Sequence, residues 1–218
     1  MDEMIKNTVL DAELVLVGIG EECDREAQER ENTESEGSQT DGILQMYRRL
    51  ASLLVNENYF IVSACMDGQI HQAGLKEERI VEPCGGYRFL QCREGCTTEL
   101  YPVEGCLNKN GKMTTCPYCG QPLIYNNIKA QKYVEEGYLE QWRLYTKWLQ
   151  ETLNKKVCIL EIGVGMNYPT VIRWPFEKIC FFNQKSTMYR VHSSLYQIAE
   201  ETKDRCYGIK MFPADFLK

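Results

Sequence analysis

Apolar residues in this chain gather in short uninterrupted runs, separated by amphipathic or polar stretches. Glu13 to Val17 (ELVLV) is such a run and stops at Gly18-Ile19-Gly20, so it reads as a buried strand ending in a tight turn. Tyr59 to Cys65 (YFIVSAC) and Val157 to Ile162 (VCILEI) read the same way, the second ending in Gly163-Val164-Gly165. Ile179 to Phe182 (ICFF) reads as a fourth strand and Tyr207 to Met211 as a last one. Between the runs the period lengthens. Ile43, Met46, Tyr47, Leu50, Leu53 and Leu54 share one helical face, with Arg48, Arg49 and Ser52 opposite. Tyr138 to Leu153 repeats the pattern through Leu139, Trp142, Tyr145, Trp148 and Leu149, and Ser194 is placed to cap a late helix to about Lys203. Glu21 to about Arg30 is charged and helix-permissive, whereas Glu31 to Asp41 (ENTESEGSQTD) lacks any large apolar residue and reads as a surface loop or linker.

Strands alternating with helices predict an α/β fold, an open parallel Rossmann-like sheet covered on both faces. Ligands of such sheets bind at the carboxyl ends of the strands, where both Gly-x-Gly turns fall. The 218 residues, 44% of them hydrophobic, suffice for a proper core. MDEMIKN lacks the apolar stretch of a secretory signal, and no apolar run approaches the roughly 20 residues of a membrane span. A cytoplasmic protein with no membrane partner is therefore expected. Its net charge of −6 disfavours nucleic acid, whose phosphates call for clustered Lys and Arg.

Eleven cysteines, an odd number, argue for a reducing compartment with thiols spent on metal or core. Cys92, Cys96, Cys116 and Cys119 form a C-x₃-C…C-x₂-C pair of pairs with Gly95 and Gly120 beside them, the spacing of a structural zinc site. A free or disulfide-bonded set is the competing reading. The quartet marks residues 84–127 as a zinc-ribbon module inserted into a discontinuous domain made of 1–83 and 128–218. Cys158 and Cys180 fall in the apolar runs and read as core, while Cys23, Cys106 and Cys206 carry no signal.

Gly18-x-Gly20 lacks the third glycine of a dinucleotide fingerprint. The second turn adds Gly163, Gly165 and Asn167, and Asn183 at the end of the fourth strand is expected on the same rim. Asp67-Gly68-Gln69 reads either as a helix cap or as part of that rim. Taken in order, a strand ending G-x-G, a strand followed by D-G-Q-x-x-x-A-G, Cys84-Gly85 eight residues before Cys92, two cysteine pairs and a late G-V-G-x-N turn resemble the sirtuins. Within that family the chain is most similar to the macrodomain-linked class M sirtuins. The resemblance implies an NAD-binding sheet carrying an inserted zinc ribbon and a protein substrate or partner. It also implies lysine deacylation or, for class M, protein ADP-ribosylation. It places Asp67, Cys84 and Cys65 at the catalytic positions and the two glycine turns against NAD or ADP-ribose.

Three departures bear on activity. Cys84 stands where deacylating sirtuins keep His and class M enzymes Gln, and neither His71 nor His192 can replace it. Cys65 stands at the Asn of the family's T-Q-N-x-D motif, though Asp67 persists. The phosphate loop G-A-G-x-S reads Gly18-Ile19-Gly20-Glu21-Glu22, and the P-D-F-R segment is replaced by the acidic stretch to Asp41. Two carboxylates at that turn should repel a pyrophosphate. The expectation is a catalytically impaired homologue acting as a nucleotide- or protein-binding module. The alternatives are an active ADP-ribosyltransferase or deacylase and, third, a thiol redox sensor in which Cys65 and Cys84 face each other.

Overall fold

A computed structural model describes residues 3–24, 38–106 and 114–218. Helix α1 spans Glu3–Asp11, strand β1 Leu14–Ile19, α2 Ser38–Leu54, β2 Tyr59–Ser63 and β3 Ile80–Val81. Strands β4 (Gly85–Cys92), β5 (Tyr101–Pro102) and β6 (Leu123–Asn127) follow. Then come α3 (Glu136–Gln150), β7 (Val157–Ile162), α4 (Arg173–Phe182), β8 (Ser186–His192) and β9 (Cys206–Lys210).

Six strands form one sheet in the order β3-β2-β1-β7-β8-β9, and every neighbouring pair is parallel. All six residues of β1 are buried, because strands flank it on both sides and helices cover both faces. Val15, Val17 and Ile19 pack with Ile5 and Val9 of α1 and Ile43, Met46, Tyr47 and Leu50 of α2. Leu14 and Leu16 point the other way, into the cluster of Tyr145 and Trp148 of α3 and Phe176 of α4. This two-faced burial explains why the strands read as continuous apolar runs. Gly18 has a packing role here: a Cβ on it would lie 2.4 Å from Ile172 Cγ2 and 2.8 Å from Phe176, so α4 sits directly on β1.

A second, antiparallel sheet of order β5-β4-β6 carries its own small core of Leu90, Cys92, Cys116 and Leu123. No described helix is long and apolar enough to cross a membrane.

Two elements expected from the sequence are corrected. ICFF is the last turn of α4, not a strand; Phe176 and Cys180 face the core while Phe181 and Phe182 are exposed, so apolar residues on both faces hide the helical period. The strand is instead β8, STMYRVH, whose polar residues conceal it and whose Arg190 is buried against Glu161. Between Ser194 and Lys203 the described residues form only a 3₁₀ turn, Glu200–Thr202, in place of the late helix. Boundaries shift too: α2 begins at Ser38, inside the stretch read as a loop, and α3 ends at Gln150. Most of the acidic stretch, residues 25–37, lies outside the described residues.

Candidate functional site

Strands β1 and β7 are neighbours from which the chain winds outward in opposite directions, the position where open α/β sheets form a crevice. Their two glycine turns meet there backbone to backbone. The Gly20 N–H donates to the Ile162 carbonyl at 2.9 Å, and the Glu22 N–H to the Gly163 carbonyl at 3.0 Å. A Cβ on Gly20 would lie 2.2 Å from the Val164 Cα, and Gly163 has φ +64, so both positions need glycine.

The 3₁₀ turn Glu21–Cys23 then folds two carboxylates over this junction. Glu21 Oε1 accepts the Asn167 N–H at 3.0 Å, and it lies 2.5 Å from where a Cβ of Gly165 would stand. Both Glu22 oxygens accept the Ser193 N–H, at 3.3 and 3.2 Å. His192 Nδ1 accepts the Ser194 and Leu195 N–H groups, each at 3.1 Å, and so organises the loop behind it. Two backbone amides at the rim, those of Asn167 and Ser193, are thus held by the chain's own acids. Asp24 ties the same turn to the next: its Oδ2 accepts the Met66 N–H at 2.7 Å.

Cys65 is 1% exposed, and its thiol donates to the Gly20 carbonyl at 3.1 Å while the Tyr47 hydroxyl approaches its sulfur at 3.8 Å. Burial, reinforced by nearby acids and the Cys23 sulfur, pushes this thiol well above its ordinary range. Cys84 is equally buried, and burial together with Glu21 and Glu82 raises its thiol to about 12. Only roughly one molecule in 10⁵ would carry that thiolate at neutral pH. Burial raises the Tyr168 hydroxyl as well, with Glu21 among the nearby acids that add to it. Asp67 Oδ1 accepts the Gln69 N–H at 3.0 Å, closing a turn through Gly68 at φ +70.

The remaining positions divide by location. Gly20, Gly163, Gly165 and Asn167 lie at the crevice, whereas Gly18 is beneath α4. Asn183 is corrected. It ends α4 at the opposite end of the sheet, with its amide donating to the Thr152 and Lys155 carbonyls at 3.1 and 3.0 Å, because ICFF is helical. Sequence reasoning missed a buried charge cluster behind the second turn. Arg190 pairs with Glu161 at 2.6 Å and Glu177 at 2.8 Å, and Arg173 donates to the Val164 carbonyl at 2.8 Å and the Leu195 carbonyl at 3.0 Å. Its one visible signal was a glutamate inside the apolar run VCILEI.

In the small sheet the sulfurs of Cys92, Cys96, Cys116 and Cys119 all lie within 4.8 Å of one another, with close pairs at 3.3–3.5 Å. A tetrahedral four-thiolate zinc site has sulfur–sulfur edges of about 3.8 Å, so the donor set and its size suit zinc. Gly95 and Gly120, at φ +62 and +70, turn the chain beside each pair. Four protein ligands leave no open position, and zinc held there would staple β4 to the second cysteine turn.

No family model matches the chain. It is 24% identical over 174 residues to a "Protein ADP-ribosyltransferase" of Staphylococcus aureus, covering 74% of this chain and 55% of that protein. It is 26% identical over 140 residues to a "Probable bifunctional ADP-ribose hydrolase/ADP-ribosyltransferase" of Fusarium oxysporum, covering 56% of this chain and 24% of that protein. The chain thus spans about half the length of the first relative and a quarter of the second. Among solved structures, a Sir2 homologue complex with 2'-O-acetyl ADP-ribose superposes with a TM-score of 0.63 at 12% identity, over 100% of this chain and 94% of that one. A Sir2 complex with a p53 peptide and NAD+ gives 0.62 at 13% identity, over 100% and 95%. The chain has the sirtuin fold.

Proposed function

We propose that this sirtuin-fold protein is catalytically impaired and works as a binding module, engaging a protein partner through a crevice that holds NAD or ADP-ribose weakly or not at all. One observation carries the reading: Glu21 and Glu22 accept the Asn167 and Ser193 amides at the strand ends. A pyrophosphate entering there would meet two carboxylates in a setting where like charges about 4 Å apart repel by up to roughly 4 kcal/mol. The reacting groups support the same conclusion. A Cys84 thiol raised to about 12 is a poor proton acceptor near neutral pH, and Cys65 spends its one donor on Gly20. The test is nicotinamide release from NAD, measured with and without the purified protein. No release above background is expected. Release that disappears in Asp67→Ala would overturn the proposal.

The printed names of the two relatives favour a second reading, an NAD-dependent protein ADP-ribosyltransferase. In it Asp67 orients a water or a ribose hydroxyl and Cys84 stands in for the acid–base group. That reading requires Glu21 and Glu22 to leave the rim before the nucleotide enters. It predicts transfer of label from labelled NAD to a protein acceptor, which the first reading does not.

A further inference from the structure

Two cysteines come together at the far end of α4 from the glycine turns. Cys180, in the last turn of α4, and Cys206, the first residue of β9, have sulfurs 2.8 Å apart. Both are present as thiols. A disulfide needs about 2.05 Å, so a small approach of two side chains would form the bond. The backbones are held for it. Arg205, adjacent to Cys206, donates from Nε and Nη2 to the Cys180 carbonyl at 3.3 and 3.1 Å, clamping the end of the helix to the start of the strand.

We propose that Cys180 and Cys206 are an oxidisable thiol pair, whose disulfide staples α4 to β9 when the protein meets a peroxide. The hydrogen bond shared with Cys206, with Ser186 and Arg205 adding to it against burial, draws the Cys180 thiol below its ordinary range. Cys180 is accordingly the attacking sulfur, since the thiolate is the nucleophile. It attacks one peroxide oxygen, the O–O bond breaks, and the hydroxide released takes a proton to leave as water. Cys180 is then a sulfenic acid. The Cys206 sulfur attacks that sulfur, the S–O bond breaks, and the hydroxyl leaves as a second water with the Cys206 proton. Two thiols have lost two electrons and the peroxide has gained them. The pair lies just under the surface: Cys180 is fully covered and Cys206 4% exposed, while the adjoining Phe181 and Tyr207 are open to solvent. A molecule the size of hydrogen peroxide needs only a brief local opening to enter.

The bond would close the segment from 180 to 206, which includes β8 and the Ser193 loop, and so would restrain the unfolded chain. The test uses the full-length protein and one equivalent of hydrogen peroxide. Remaining thiols are alkylated after denaturation, and the tryptic peptides are mapped. Trypsin places Cys180 in residues 179–185 and Cys206 in residues 206–210, so the disulfide joins two short peptides of known mass. The linked pair should appear in most molecules, revert with dithiothreitol and raise Tm by roughly 5 °C or more. Cys206→Ser should give neither the linked peptide nor the Tm shift. Recovery of both cysteines as alkylated thiols, or of Cys180 as a sulfinic acid without linkage, would overturn the pair. A linked peptide without a rise in Tm would overturn the staple. The wild-type map stands even if the variant does not fold.

Discussion

His71 shows a single side chain coupling a turn to pH. Its Nδ1 bonds Glu77 at 2.7 Å and its Nε2 bonds Glu82 at 2.8 Å, with Arg88 close by. Burial alone would lower its pKa, but the bonds to Glu82 and Glu77 prevail and the net direction is upward from 6.5. A His whose folded pKa is raised stabilises the fold fully below its unfolded value, and that contribution is lost as pH rises through the folded value. Unfolding free energy from urea titrations should therefore decline from about pH 6.5 upward in the wild type and stay flatter in His71→Gln. Equal slopes in the two proteins would show that His71 makes no such contribution. The sequence singled out His71 only as unable to serve in catalysis, because acids six and eleven residues away in a turn-rich segment carry no periodic signal. Cys84 was more legible. Its distance from Cys92 located it, although only three dimensions reveal that Glu21 adds to its raised pKa.

At the scale of elements, legibility followed burial symmetry. Strands β1, β2 and β7 are covered on both faces, so their apolar runs stood out, and their glycine turns marked the strand ends. β8 failed that rule because Arg190 is buried by pairing with Glu161 and Glu177, a stabilisation that no hydropathy pattern displays. Gly18 was read as a nucleotide contact because a G-x-G turn admits that meaning. In the fold it lets α4 approach β1, a distinction set by Ile172 and Phe176, residues over 150 positions away. Gly18→Ala should consequently act on stability, costing about 1–3 kcal/mol through overpacking. Chemical denaturation measures it. A variant as stable as the wild type would show that α4 can shift freely off the sheet.

For the whole molecule, the cysteine quartet and the two glycine turns were the landmarks that sequence carried best. Their spacing is local or their order along the chain is distinctive. The self-occupied rim was only half legible: the acids were visible, but their partners Asn167 and Ser193 come from segments more than 140 residues downstream. Zinc held by the four cysteines would brace the small sheet, so its removal should loosen that region first. A strong chelator should release one metal per chain, lower Tm and raise hydrogen exchange in β4 and β6 before β1 and β7. Uniform protection across both sheets after chelation would mean that the cysteines alone suffice.

The proposal that Glu21 and Glu22 keep a nucleotide from the strand-end amides is tested by calorimetric titration of ADP-ribose into two proteins, the wild type and the Glu21→Gln, Glu22→Gln double variant. The substitutions keep side-chain shape and remove charge. Wild type should bind more weakly than millimolar, and the variant should bind about tenfold or more tightly as the repulsion is removed. Submillimolar binding by the wild type that is unchanged in the variant would contradict the account.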